Sequence, residues 1–274
     1  MNSFSSISGS KVADRLAQLV GEIQDAGAAV IFVSPHLDDA VLSCGALLTE
    51  LARTGPVTVM TVFTSALPPA RWALAARKDL RNLGISDAVS YFKDRRAEDI
   101  AVLKEAGASW VHLGFTDALF RRVGETNGKD TGRAAYPTFR FDASVGRIAS
   151  SDADLAAKVG VMVRETAAAS KAMAVFAPLG IGRHVDHVIT RNAVATSGID
   201  AVYYSDFPYS QYRKPNARFI RNASLQPFTW LKGRAENANL MAGYKTQFEA
   251  LFPHGVPVSP ETYWIRAAGS AGAV

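Results

Sequence analysis

Short runs of apolar residues alternate along the chain with longer segments in which apolar residues recur every three or four positions. The short runs predict buried strands, and the longer segments predict amphipathic helices. The predicted strands cover residues 28–34, 57–64, 109–115, 172–178 and 200–206. The predicted helices cover residues 11–26, 40–54, 95–107, 152–170 and 184–196. This regular alternation favours an α/β fold, a mostly parallel sheet with helices on both faces.

Two segments interrupt the alternation, residues 116–151 and residues 206–230. Both have little periodicity and are rich in polar and aromatic residues, so they predict long loops. Loops of this length are usually functional. The sequence contains no internal repeat and no shift in composition, and we therefore expect residues 1–274 to form one domain with these two loops at its active site.

Composition narrows the classes of function. The net charge is only +5, and Lys and Arg are interspersed with Asp and Glu, which argues against a nucleic-acid partner. Cys44 is the only cysteine, so a thiolate cluster cannot bind a metal and His and carboxylate ligands are needed instead. No apolar run approaches the length of a membrane span, and we expect a cytoplasmic protein. The oligomeric state is not indicated by the sequence.

Histidine and aspartate occur together at two predicted strand-to-helix junctions. His36, Asp38 and Asp39 follow the first predicted strand, and His184, Asp186 and His187 follow residues 172–178. In a parallel sheet both junctions lie at the edge formed by the carboxyl ends of the strands, so distant segments can meet there. Either junction alone is more often a capping or packing feature than a metal site. Two such junctions in a chain with five histidines favour a metal site.

Two histidines and one carboxylate drawn from these junctions suit catalytic zinc, which takes three protein ligands and leaves a position for water. Zinc would then acidify the bound water for attack on an amide. Asp38 is a candidate general base, and His184 is a candidate donor to the oxyanion or to the departing amine. Asp186 could set the tautomer of a neighbouring histidine.

Three further residues are candidates for contact with the substrate at the same edge. Arg95 and Glu98 open a predicted helix, and Asp117 follows the strand at 109–115. A surface or capping role is about equally plausible for each from the sequence alone. Tyr209 and other aromatic residues of the two loops could line a sugar or acyl pocket, although packing explains them equally well.

The segments SPHLDDAVLSCGALL (34–48) and PLGIGRHVDH (178–187) resemble the LmbE-like, or PIG-L, family of zinc-dependent deacetylases of N-acetylglucosamine derivatives. The resemblance extends over most of residues 28–205. It implies a Rossmann-like fold, with zinc bound by His36, Asp39 and His187. It also implies that Asp38 is the general base and that His184 stabilises the oxyanion or acts as an acid.

The chain departs from the family pattern at three positions near these residues. Leu37 stands where proline is usual, Ala40 stands where an acidic residue is usual, and Val185 often has proline as its counterpart. None of these differences removes a ligand implied by the resemblance.

The resemblance implies a substrate that is an amino-sugar glycoconjugate, and the long loops suggest a bulky one such as a glycopeptide antibiotic pseudoaglycone. Two other functions stay open from the residues. The motif His36-x-Asp38 with a distant histidine is also the pattern of iron oxygenases with two histidines and one carboxylate, although those sites normally lie in all-β folds. A saccharide-binding module without catalytic activity is the second alternative.

Overall fold

The structure is a computed structural model and describes residues 7–82, 84–123, 133–138, 141, 143–257 and 259–267. Its strands are β1 (Val30–Ser34), β2 (Val57–Ser65), β3 (Ser109–Thr116), β4 (Ala174–Pro178), β5 (Val202–Tyr204), β6 (Leu225–Trp230) and β7 (Glu261–Arg266). They form one sheet in the order β3-β2-β1-β4-β5-β7-β6. The first five strands are parallel, and β7 pairs antiparallel with both β5 and β6.

The helices of the described residues cover both faces of this sheet. They are α1 (Ile7–Ala26), α2 (Asp39–Ala52), α3 (Leu74–Asn82), α4 (Ala88–Glu105), α5 (Leu155–Ser170), α6 (Val185–Ala195), α7 (Ala217–Asn222), α8 (Arg234–Met241) and α9 (Lys245–Leu251). Successive residues of a strand point to opposite faces. Accordingly Phe32 packs in a core cluster with residues of α1, α2 and α4, and Ile31 and Val33 pack in another with residues of α5 and α6. Among the residues described, no helix combines the length and apolar character needed to cross a membrane.

The predicted fold class is confirmed, and each of the five predicted strands and five predicted helices has a counterpart within a few residues of its predicted ends, except that α4 begins earlier, at Ala88. The predicted loop over residues 206–230 is wrong in its second half, which holds α7 and β6. Asn216 caps α7, because its side chain accepts hydrogen bonds from two backbone N–H groups. Pro227 obscured the strand pattern of β6 in the sequence. Proline is tolerated there because β6 is an edge strand.

The predicted loop over residues 116–151 lies partly outside the described residues. Its described part includes two short 3₁₀ helices, Ala143–Val145 and Ser150–Asp152, and an isolated bridge between Arg122 and Ala134. The predictions of a single domain and of an active-site role for this loop therefore stay predictions.

Strand order explains why two distant junctions meet. β1 and β4 are neighbours, with Phe32 opposite Phe176 and their rings stacked at a centroid distance of 4.4 Å. From β1 the chain proceeds to β2 and β3 on one side, and it returns to β4 and β5 on the other. Such a reversal of strand order opens a crevice at the carboxyl ends of the two central strands. The junctions after β1 and β4 both lie at that crevice.

Candidate metal centre

The first junction, between β1 and α2, is a tight turn held by its own polar groups. The Ser34 hydroxyl donates to the His36 carbonyl at 2.6 Å and accepts from the Ala40 N–H at 3.1 Å. The His36 N–H donates to Asp39 Oδ2 at 2.9 Å. Asp38 precedes α2 and Asp39 is its first residue, and a helix N-terminus favours negative charge. The turn thereby brings one imidazole and two carboxylates to the start of one helix.

The second junction, between β4 and α6, needs unusual backbone angles. Gly180 and Gly182 have φ of 76° and 86°, and a Cβ on Gly182 would lie 2.7 Å from the Tyr209 ring. Glycine is therefore required at this close approach. His184 occupies the N-cap of α6, and its Nδ1 accepts from the Asp186 N–H at 3.3 Å. With Nδ1 as acceptor, a neutral His184 carries its hydrogen on Nε2 and can act there as a donor.

The two junctions bring the three predicted ligands together. Asp39 Oδ2 lies 3.1 Å from His36 Nδ1 and 3.3 Å from His187 Nε2. Atoms bound to zinc at about 2.0–2.1 Å are separated by roughly 3.3 Å at tetrahedral angles, so these separations fit a shared ion. One ring nitrogen from each of His36, His184 and His187 also lies within 4.8 Å of the other two. The donor set of imidazoles and carboxylate suits a divalent transition metal.

Burial shapes the electrostatics of this cluster. Burial raises the pKa of Asp38 to about 6, against the opposing charge of Arg95, whose Nη2 lies 3.3 Å from Asp38 Oδ2. Burial also acts to raise the pKa of Asp39, but His187 and His36 hold that pKa well below its usual range. Burial, together with His36, lowers the pKa of His184 to about 3. The cluster thus contains an anionic Asp39, which lies between the imidazoles of His36 and His187. It also contains a neutral His184.

Asp186 contacts the outer nitrogen of His36, and its predicted role in setting the tautomer of a histidine stays a prediction. Its Oδ2 lies 3.1 Å from His36 Nε2 and accepts from the Ala118 N–H at 3.0 Å, and its Oδ1 lies 2.6 Å from Arg121 Nη1. Arg121 Nε donates in turn to Asp152 at 2.7 Å. A buried chain of alternating charges therefore runs from His36 into the segment that follows β3.

The sequence analysis missed one residue that contacts the cluster, Asp206. Its Oδ1 lies 2.7 Å from His187 Nδ1. Asp206 follows β5 at the same sheet edge, so its position as the last residue of the predicted strand 200–206 was the available signal. The segment after β5 also contributes Tyr209, whose ring lies edge-on to His187 at a centroid distance of 5.6 Å.

The three predicted substrate residues have different surroundings. Arg95 pairs with Asp38, and Asp117 Oδ2 lies 3.5 Å from His36 Nε2. Glu98 accepts hydrogen bonds from the N–H and the hydroxyl of Thr246 in α9. Arg95 and Asp117 therefore border the cluster, whereas Glu98 accepts hydrogen bonds at the N-terminus of α9. Contact of these residues with a substrate stays a prediction.

Family comparison agrees with the fold and the two junctions. The family model described as PIG-L, GlcNAc-PI de-N-acetylase, matches residues 31–197. The matched range includes both junctions and most of the parallel sheet. The chain belongs to the PIG-L family.

The chain is similar to one deacetylase sequence and to two solved deacetylase structures. The 2'-N-acetylparomamine deacetylase of Streptomyces fradiae is 32% identical over 188 residues, which are 67% of this chain and 58% of that protein. The match thus spans less than two thirds of that relative. A crystal structure of a deacetylase–teicoplanin complex from the teicoplanin biosynthesis pathway is 27% identical with a TM-score of 0.70, covering 87% of this chain and 98% of that one. The zinc-inhibited form of teicoplanin deacetylase is 25% identical with a TM-score of 0.67, covering 89% and 100%.

Proposed function

We propose that this protein is a zinc-dependent N-deacetylase that removes the acetyl group from an amino sugar of an antibiotic or its precursor. The observation that carries the proposal is the position of Asp39 Oδ2, 3.1 Å from His36 Nδ1 and 3.3 Å from His187 Nε2, at the crevice of the parallel sheet. Membership of the PIG-L family supports the reaction class. The names of the paromamine and teicoplanin deacetylases support the substrate class.

His36, Asp39 and His187 would hold the zinc ion. A bound zinc ion supplies Lewis acidity, which polarises a carbonyl oxygen and lowers the pKa of water. Asp38 is adjacent in sequence to this ligand set, and its carboxylate is held by Arg95 at 3.3 Å. The oxygen of a water molecule attacks the amide carbon, and Asp38 takes the proton that this water releases.

His184 completes the set of reacting groups. Its Nδ1 accepts from the backbone, so a neutral His184 carries its hydrogen on Nε2 and donates from there to the oxyanion that forms on the carbonyl oxygen. The C–N bond then breaks, the nitrogen receives the proton from Asp38, and the products are a free amine and acetic acid, which releases the second hydrogen of water as it ionises to acetate. The acetyl carbon gains one oxygen from water, which balances the hydrolysis.

The reaction is tested with a panel of N-acetylated amino sugars, from simple N-acetylglucosaminides to aminoglycoside and glycopeptide precursors, with mass detection of acetyl loss. We expect free amine to appear when zinc is present. Asp38→Asn should lower kcat by roughly 10²–10⁴-fold with zinc retained, because the isosteric amide cannot accept the proton. Asp94→Asn, an exposed substitution on α4, is the matched control and should leave kcat unchanged.

The two alternative functions give different results in the same assays. An iron oxygenase would contain iron as purified and would consume oxygen. A saccharide-binding module would bind the sugars without releasing amine, and Asp38→Asn would have no effect. Failure of every N-acetylated sugar to yield amine in the zinc-loaded protein would refute the proposed reaction.

A further inference from the structure

Asp206 and His187 form a buried pair on the side of the cluster away from Asp39. Each is only 1% exposed, and His187 Nδ1 lies 2.7 Å from Asp206 Oδ1. We propose that Asp206 is a positioning residue that keeps the hydrogen of His187 on Nδ1 and so leaves the Nε2 lone pair free for the metal. This inference rests on the proposed zinc site, in which His187 is a ligand.

The direction of the hydrogen bond follows from the chemistry of the two groups. An ionised carboxylate accepts hydrogen bonds and has no hydrogen to donate, so the contact requires N–H at His187 Nδ1. A neutral imidazole carries one N–H, and its Nε2 is then an acceptor or a metal ligand. That Nε2 faces Asp39 Oδ2 at 3.3 Å. Asp206 therefore selects the tautomer that can bind a metal shared with Asp39.

The second oxygen of Asp206 makes this selection strict. Asp206 Oδ2 accepts from the backbone N–H of Ile181 at 2.8 Å. A backbone N–H cannot become an acceptor, so an asparagine here would keep its oxygen toward Ile181. Its NH₂ group would then face His187 Nδ1 and donate to it. His187 would respond by carrying its hydrogen on Nε2, which blocks coordination.

The same protein contains a matched aspartate–histidine pair outside the proposed set of zinc ligands. His112 Nε2 lies 2.8 Å from Asp99 Oδ2, and Asp99 is 2% exposed. The other oxygen of Asp99 accepts from the Tyr244 hydroxyl at 2.9 Å. A hydroxyl rotates and can either donate or accept, so Asp99→Asn imposes no tautomer in the same way. Asp99→Asn is therefore the control for the loss of a buried carboxylate beside a histidine.

The experiment compares zinc dissociation constants of the wild-type protein, Asp206→Asn and Asp99→Asn by competition with a chromophoric chelator. We expect Asp206→Asn to bind zinc about 10–100-fold more weakly, the usual effect of losing such a partner of a ligating histidine. Asp99→Asn should bind zinc as the wild type does. Equal zinc affinity of Asp206→Asn and the wild type would overturn the role of Asp206 and leave the proposed function standing. A wild-type protein that binds no zinc would overturn both.

A measurement on the zinc-loaded wild type keeps the inference testable if Asp206→Asn does not fold. Nitrogen NMR of the imidazoles identifies which nitrogen carries hydrogen, and sequential backbone-to-side-chain correlations assign the His187 signal. We expect the His187 hydrogen on Nδ1. A hydrogen on Nε2, or coordination through Nδ1, would contradict the inference whatever the variant does. A purely structural role for Asp206 predicts no tautomer preference.

Discussion

The two strand-to-helix junctions supply the same kinds of residue but reach their geometry differently. The first junction is closed by its own contacts, with Ser34 and Asp39 binding backbone groups of the same turn. The second junction depends on Gly180 and Gly182 in left-handed backbone conformations and on Asp206 from the next strand. Hydrogen bonds within the turn thus contribute much of the shape of the first junction, whereas the second requires backbone freedom and a carboxylate from the segment after β5.

The histidines of the two junctions also differ in what surrounds them. His36 contacts carboxylates from both junctions, at Asp39 and at Asp186. His184, in contrast, has its Nδ1 occupied by a backbone N–H. One imidazole therefore has the surroundings of a ligand, and the other has those of a neutral hydrogen-bond donor.

The largest expected effect separates these two histidines. His36→Gln should abolish zinc binding and with it all deacetylase activity, because it removes one of three ligands. His184→Gln should retain zinc and lower kcat by roughly 10²–10⁴-fold, since it removes only a donor to the oxyanion. Zinc content of the purified variants and kcat are the measurements. Loss of zinc from His184→Gln would instead identify His184 as a ligand, which its distance from His36 and His187 allows.

A second prediction concerns how the helix after the first junction is anchored. Glu261 at the start of β7 is buried and accepts from the N–H groups of Ala46 and Leu47 in α2. Burial raises the pKa of Glu261 from 4.5 to about 7. Because the folded pKa is raised, the protonated acid is the form that favours the folded state. Its contribution to stability is fully present below pH 4.5 and is lost as the pH rises through about 7.

We therefore expect Glu261 ionisation to lower the free energy of unfolding by about 3 kcal/mol across this pH window. Glu261→Gln should remove that dependence, because its amide does not titrate. Urea unfolding at both ends of the window measures the difference in the free energy of unfolding. Glu50→Gln, on α2, is the control. An identical pH dependence of stability in Glu261→Gln and the wild type would contradict the assignment.

The smallest expected effect tests the role of Glu98. Its carboxylate accepts from the N–H and the hydroxyl of Thr246 at the start of α9. Glu98→Ala should lower the free energy of unfolding by about 1 kcal/mol, as loss of a helix-capping side chain usually does. We expect KM to be unchanged, measured beside thermal unfolding. A raised KM without loss of stability would support the substrate contact that the sequence analysis considered.

Periodicity predicted the parallel half of the sheet well, most clearly for β1, β2 and β4, whose residues are nearly all buried. Val30 to Ser34 are all buried, so β1 reads as a continuous apolar run. β7 instead alternates buried and half-buried residues, and in β6 a proline interrupts the pattern. The antiparallel edge of the sheet was missed for this reason. Its position is decided by pairing with β5, a contact between residues about 60 positions apart.

The sequence by itself determined the fold class and the residues of both junctions, because strand periodicity and short-range spacing are local properties. Those properties placed His36, Asp39 and His187 at one sheet edge. Only the tertiary structure decided which nitrogen of each histidine faces Asp39, and it alone paired Asp206 with His187 and Arg95 with Asp38. Such contacts join residues that are distant along the chain or meet across a buried interface, and their geometry depends on strand order and packing that no local pattern encodes.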